Sequence, residues 1–240
     1  MAAVILLETY GLTKNFGGLT AVKDVSFQLP EGQIRALIGP NGAGKSTFVS
    51  LLCGRLEPSE GRVSFEGLDV TRIPAHKRIS MGMAYTFQIT SVFGKLSLHE
   101  NVALAVRKHD KLTPTKVNRT VMEVLERVGL SSRAEELASD LSYGHQRLLE
   151  IAMGIAQKPK LLILDEPTQG LADVEIQEFN KLIKAMSSEA TILLIEHNMG
   201  VVMEIADYIT VLNFGSVLAE GTPEEIRNNK AVQDAYLGTG

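Results

Sequence analysis

The stretch GPNGAGKST, residues 39–47, is where residue types and spacing first call for a specific chemistry. Gly39, Pro40, Asn41, Gly42, Ala43 and Gly44 lead into Lys45, Ser46 and Thr47 with the G-x-x-x-x-G-K-S spacing of a phosphate-binding loop, the P-loop. Glycines let consecutive backbone N–H groups turn inward on an anion, and a helix opening at Lys45 adds its positive dipole end. Lys45 supplies a cation for the β- and γ-phosphates of a nucleotide, and Ser46 offers a hydroxyl to Mg²⁺. The motif needs a strand before it and a helix after it. The apolar run QIRALIGP precedes it, and KSTFVSLLCGRL, helical by length and pattern, follows.

A carboxylate must face such a metal. Asp165 closes the apolar run LLILD, where this chemistry needs it, and Glu166 beside it is the candidate to orient and deprotonate water. Glu166 taken alone also fits a solvated strand-end acid; next to a P-loop the catalytic reading is the stronger. His197 in IEHNM closes another apolar run, where it could bond a γ-phosphate or the attacking water, although a lone His is more often structural. Gln88 in AYTFQIT stands just past a strand, within reach of the metal or water when nucleotide is present. A second anion site is suggested by DLSYGHQRLLE. Ser142 is a good N-cap for a helix carrying Leu148, Ile151, Ala152 and Ile155. A capping box would place Glu or Gln three residues later, but His145 stands there. The first turn is therefore expected to leave backbone N–H groups without an internal acceptor.

The elements that must position these residues alternate in type. AVKDVSFQL and GRVSFEG are strand-like early runs, with Val22, Val25, Phe27 and Leu29 in the first and Val63 and Phe65 in the second. From about Ser97 the texture turns helical. Ser97 with Glu100 reads as a capping box, Thr113-Pro114 starts a helix that Gly129 stops, and Ser132 with Glu135 opens another. Beyond Pro159, KLLILDEP and ATILLIEH are buried-strand candidates separated by the helix VEIQEFNKLIKAM. YITVLNFGSVLAEG reads as a hairpin about Asn213–Gly215, and Thr222, Pro223 and Glu225 cap a last short helix. Strands alternating with helices imply an α/β core with a parallel sheet, and residues 97–157 a helical insertion into it.

Totals bound the function. The 240 residues suffice for a sizeable core, and a net charge of −4, from 24 basic and 28 acidic residues, gives no electrostatic reason to expect nucleic acid. The lone Cys53, inside FVSLLCGRL, forms no internal disulfide and no cysteine-based zinc site, and reads as core packing. No apolar run approaches the ~20 residues of a spanning helix, and no basic region precedes the N-terminal apolar stretch, so a soluble cytoplasmic protein is expected.

The P-loop, TFQ, LSYGHQ, LDEP and EHNM occur in the order seen in the ATP-binding subunits of ABC transporters, which the chain resembles over nearly its whole length. The resemblance implies one domain over residues 1–240: a P-loop NTPase core with an N-terminal antiparallel β subdomain and an inserted α-helical subdomain. LSYGHQ is similar to the family's Leu-Ser-Gly-Gly-Gln signature, with Tyr143 for the first Gly and His145 added before Gln146; either His145 or Gln146 takes the Gln role. In the family two subunits pair head to tail, each signature capping the ATP in the other's P-loop. That implies ATP contacts for Ser142, Gly144 and Gln146 in trans. It also implies a role for Asp173 of GLAD in the loop crossing the interface, and adenine stacking for Phe16, whose type alone also fits a core aromatic. The implied metal set is Ser46, Gln88 and Asp165 with Mg²⁺. MAYTFQ, the signature variant, EHNM and the ending GTPEEIRNN…AYLG resemble the branched-chain amino-acid importer group, whose relatives serve amides, urea and other small polar solutes. The stretch from Asn101 to Val128 is shorter than in many of its members, which leaves the solute open. Such subunits sit at the cytoplasmic face of the inner membrane against permease subunits, with solute delivered by an extracytoplasmic binding protein. Two rival classes are a non-transport ABC ATPase, which typically carries coiled-coil insertions or two cassettes, and a small-molecule kinase, which would not explain LSYGHQ.

Overall fold

The computed structural model describes residues 4–86, 91–107 and 113–237. β1 (Ile5–Phe16) and β2 (Leu19–Pro30) form a long antiparallel hairpin, and β3 (Ile34–Ile38) leaves it for a second sheet. After the P-loop come α1 (Lys45–Leu52), β4 (Glu60–Phe65), β5 (Leu68–Asp69), α2 (Ala75–Ser80) and β6 (Met83–Thr86). A helical block follows, with α3 (Leu98–Val106), α4 (Pro114–Arg127) and α5 (Tyr143–Ala156). The chain then returns to the core through β7 (Leu161–Asp165), α6 (Asp173–Met186), β8 (Thr191–Ile195), α7 (Met199–Ile205) and β9 (Tyr208–Asn213). β10 (Ser216–Gly221), α8 (Pro223–Arg227) and α9 (Lys230–Leu237) end it.

One sheet has the antiparallel order β2-β1-β4-β5, and the other runs β10-β9-β3-β8-β7-β6. In the second, only the β10–β9 pairing is antiparallel. β3, β7 and β8 are buried along their whole length, as continuous apolar runs in a parallel sheet covered on both faces must be. β8 lies between β3 and β7, so the P-loop, Asp165 and His197 all emerge at the carboxyl ends of neighbouring parallel strands, the usual ligand edge of such a sheet.

Between the sheets, Phe27 of β2 meets Phe48 of α1 edge to face at 5.6 Å, within a core that also takes Leu37, Ile163, Leu193 and Cys53. Burial pushes the Cys53 thiol up to about 12, which keeps it a protonated packing group. The helical block packs on the sheet's other face through Val121, Leu149, Ile151, Leu162 and Leu194. Its helices start where the caps predict: Ser97 and Glu100 form a reciprocal capping box, and Thr113 accepts the Lys116 N–H ahead of Pro114. The helix expected from Ser132 is not formed. Only a 3₁₀ turn, Ser131–Arg133, appears, because the backbone beyond it bonds back to the start of α3: Leu98 and His99 N–H donate to the Glu136 and Ala134 carbonyls, and Ala138 N–H to that of Leu96. Asn213 and Ser216 flank the expected hairpin, with Phe214 (φ 46°) and Gly215 (φ 79°) both left-handed as a tight two-residue turn requires. Among the described residues no helix is long and apolar enough to cross a membrane.

Candidate active site

The P-loop is wedged against backbone on two sides. A Cβ at Gly39 would collide with the Leu212 carbonyl oxygen, and one at Gly44 (φ 98°) with that of Ala21, so neither position tolerates a side chain. The hairpin turn braces the loop from outside: Gly215 N–H donates to the Ala43 carbonyl at 3.0 Å, while the Gly215 carbonyl accepts from Lys23 N–H at 2.8 Å. This is how the antiparallel sheet is tied to the nucleotide loop. Lys45 Nζ donates to the Gly39 carbonyl at 2.6 Å and the Pro40 carbonyl at 3.1 Å. Burial lowers the Lys45 pKa, and the nearby charges of Glu166 and Asp165 oppose that shift. Asn41 to Thr47 line a cavity of ≈ 480 Å³ together with Leu19, Glu166 and Phe214, a volume in the range of small-molecule sites.

Asp165 and Glu166 stand together at the end of β7. Burial raises the Asp165 pKa, while a hydrogen bond from the Tyr85 hydroxyl to its Oδ2, 2.7 Å, pulls it back. Glu166 has φ 49°, a left-handed conformation rare for a non-glycine residue and common where strain serves a site. Its N–H donates to the Ile195 carbonyl at 2.9 Å, which fixes the turn against β8. His197 Nδ1 lies 3.7 Å from Glu166 Oε1, with the imidazole 58% and the carboxylate side chain 20% exposed. That separation lets the two flank one small reactant, and it is too long for a direct hydrogen bond. The buried Glu196 orients both loops. Its Oε1 accepts from Thr168 N–H (3.0 Å) and Oγ1 (2.5 Å), and its Oε2 from the N–H groups of His197 (3.0 Å) and Asn198 (3.1 Å).

The signature stretch differs in detail from expectation. The first turn of α5 is not left without internal acceptors: Ser142 Oγ accepts the His145 N–H at 3.3 Å and lies 2.8 Å from His145 Nδ1. Glu175 crowds the same turn, since a Cβ on Gly144 would come within 2.7 Å of its Oε1; its Oε2 accepts from Ala172 N–H at 2.8 Å. Gln146 turns inward, its Nε2 donating to the Ala138 and Leu141 carbonyls, so His145 is the side chain that stays beside Ser142. Asp173 is the exposed first residue of α6, at that helix's positive end. Phe16 ends β1 with its ring 46% exposed and Lys14 Nζ 5.2 Å from the ring centroid, so it is not a core aromatic. Gln88 lies outside the described residues.

Four contributors escaped the sequence reading: Tyr85, Glu175, Glu196 and Arg147. Arg147, 0% exposed, donates from Nη1 to Glu150 Oε2 at 2.7 Å and from Nη2 to the Asp165 carbonyl and, at 3.1 Å, the Glu166 carbonyl. The signal available for it was a charge directly beside the apolar face of a helix.

A phosphate loop and a strand-end acid pair presented at neighbouring parallel strand ends define a nucleotide-dependent phosphohydrolase. The ABC transporter family model matches residues 22–169, and a model described as branched-chain amino acid ATP-binding cassette transporter matches residues 216–240. The chain belongs to the ABC transporter family, as an ATP-binding cassette of the ATPase type. It is 41% identical to the high-affinity branched-chain amino acid transport ATP-binding protein BraF of Pseudomonas aeruginosa, over 97% of this chain and 98% of that one. It is 42% identical to the corresponding LivG protein of Salmonella typhimurium, with the same coverage. A solved ADP conformation of an ATP-binding cassette of an ABC transporter superposes with a TM-score of 0.86 at 27% identity, over 98% of this chain and 99% of that one.

Proposed function

We propose that this chain hydrolyses ATP with Mg²⁺ to drive an importer of branched-chain amino acids or related small polar solutes, working as a pair of cassettes at the cytoplasmic face of the membrane beneath permease subunits. The observation that carries the hydrolytic reading is the convergence of Lys45, Asp165, Glu166 and His197 at neighbouring strand ends. Lys45 and the loop N–H groups bind the phosphates. Glu166 accepts a proton from the attacking water, and His197, 3.7 Å from it, holds the γ-phosphate or that water. Gln88 is a further contact to water or metal, and Phe16 offers an exposed ring for adenine, worth roughly 1 kcal/mol.

The residues present fit Mg²⁺. Ser46 and Asp165 are hard oxygen donors, and among the described residues no cluster of three or more His, Cys, Asp or Glu would cage a metal alone. Mg²⁺ is held by one or two protein oxygens plus phosphates and water. When bound it neutralises charge developing on the β- and γ-oxygens.

Ser142 and Asp173 are exposed at helix starts, and with Gly144, buried beneath Glu175, they are assigned to the partner cassette's nucleotide, with His145 beside Ser142 in the place of the signature Gln. The importer reading, rather than a non-transport ABC ATPase, is supported by the match of residues 216–240 to a branched-chain transporter model. The test is reconstitution of the chain with its permease subunits and binding protein in vesicles, followed by uptake over leucine, isoleucine, valine, amides and urea. ATP-dependent uptake of at least one of these is expected; uptake of none, with ATPase intact, would overturn the solute assignment.

A further inference from the structure

Asp165 is held by its neighbours at three different atoms. Its N–H donates to Thr86 Oγ1 at 3.4 Å, its carbonyl accepts from Arg147, and its carboxylate Oδ2 accepts from the Tyr85 hydroxyl at 2.7 Å. Two of these grips come from consecutive residues of β6, which pairs in parallel with β7 so that Tyr85 faces Ile163 and Thr86 faces Leu164. The tyrosine ring is itself fixed, packed against the inter-sheet core with the Arg55 guanidinium 5.5 Å from its centroid.

A buried carboxylate with one oxygen bonded to a rigid donor has its rotation about the Cβ–Cγ bond stopped, and only the other oxygen is left to turn toward the phosphate loop. Outer partners of this kind orient metal-ligating groups and set metal affinity. We infer that Tyr85 is a positioning residue for the metal site: its hydroxyl locks the Asp165 carboxylate so that Oδ1 faces the divalent cation of the nucleotide complex. The inference rests on the proposal that Asp165 serves that cation. It gives Tyr85 a role that neither residue type nor position suggested. Tyr85 touches Asp165 and the core, and it does not line the cavity beside the P-loop.

The experiment titrates Mn²⁺, followed by its paramagnetic resonance signal, into the full chain saturated with ADP. Wild type, Tyr85→Phe, Tyr85→Leu and Asp165→Asn are compared, and ADP affinity in EDTA is measured by calorimetry for each. Tyr85→Phe keeps the ring and removes only the hydroxyl, so it is expected to weaken Mn²⁺ about tenfold with metal-free ADP affinity unchanged, and to lower the melting temperature only by the loss of one hydrogen bond to a buried carboxylate. Tyr85→Leu should show the same metal loss. Unaltered Mn²⁺ affinity in Tyr85→Phe, while Asp165→Asn weakens it, would overturn the role of Tyr85 and leave the metal assignment standing. An equal fall in metal-free ADP affinity would also overturn it, because the lesion would then be one of general packing. Unaltered Mn²⁺ affinity in Asp165→Asn would remove Asp165 from the metal and both readings with it.

Discussion

Asp165 is a carboxylate kept in a place that disfavours its charge. Burial raises its pKa above the ordinary value, so the folded chain binds that proton more tightly than the unfolded chain does. The sign of the pH dependence follows. The buried charge costs stability at every pH above the raised value, and the cost vanishes once pH falls below the ordinary value of about 3.9. Asp165→Asn removes the charge but keeps an oxygen for the Tyr85 hydroxyl. It is expected to melt above wild type at pH 8, with the gap closing as the pH is lowered toward 4, when both are followed by thermal unfolding. A lower melting point at pH 8 would mean that Tyr85 and Arg147 over-compensate the burial. By the same reasoning Asp165, proposed to serve the metal, is not there for stability. Glu166 adds a left-handed backbone to the same corner, and its N–H on Ile195 holds that conformation in place.

At the scale of elements, α5 is fastened to β7 by Arg147. A fully buried guanidinium spans from Glu150 to the carbonyls of Asp165 and Glu166, and so ties the helix carrying Ser142 and Gly144 to the acid pair of its own subunit. Arg147→Met strips the cation from Glu150, itself 6% exposed, and should cost about 3–5 kcal/mol in denaturant unfolding. Adding Glu150→Leu should recover much of that loss; a double variant no more stable than the single would show that the carbonyl contacts dominate. These elements were unevenly legible in the sequence. The P-loop, the Asp165–Glu166 pair, the caps at Ser97, Thr113 and Thr222 and the hairpin at Phe214–Gly215 could all be read, because each follows from local spacing. The helix expected from Ser132 failed since Leu98, His99 and Leu96 claim the backbone groups it needed, a tertiary competition no local pattern reports. Gln146, expected at the partner's ATP, turns inward for a similar reason: its amide is spent on the Ala138 and Leu141 carbonyls. Tyr85 and Glu196 act through strand neighbours that only the sheet order brings together.

For the whole molecule, the question is how the nucleotide site meets a membrane partner. The connector before α3 splits its apolar residues: Val92 packs against the helical core, whereas Phe93 is 54% exposed. Asn101, buried in α3, grips the connector by accepting the Phe93 N–H at 2.8 Å and donating to the Phe93 carbonyl at 3.1 Å, so the ring is presented by a fixed backbone. We propose this presented ring as a contact for the permease subunits. Phe93→Asp is expected to abolish permease binding in a pull-down while leaving the thermal unfolding and ATP affinity of the isolated subunit unchanged. A large melting loss without a binding defect would mean that Phe93 serves packing and not the permease contact. All of this presupposes that the chain hydrolyses ATP through Glu166, and one measurement addresses that most directly: the steady rate of phosphate release by the assembled transporter, wild type against Glu166→Gln. The amide occupies the same space and accepts no proton, so the rate should fall by about 10² to 10⁴ while ATP still binds. Phosphate release near the wild-type rate would contradict the account.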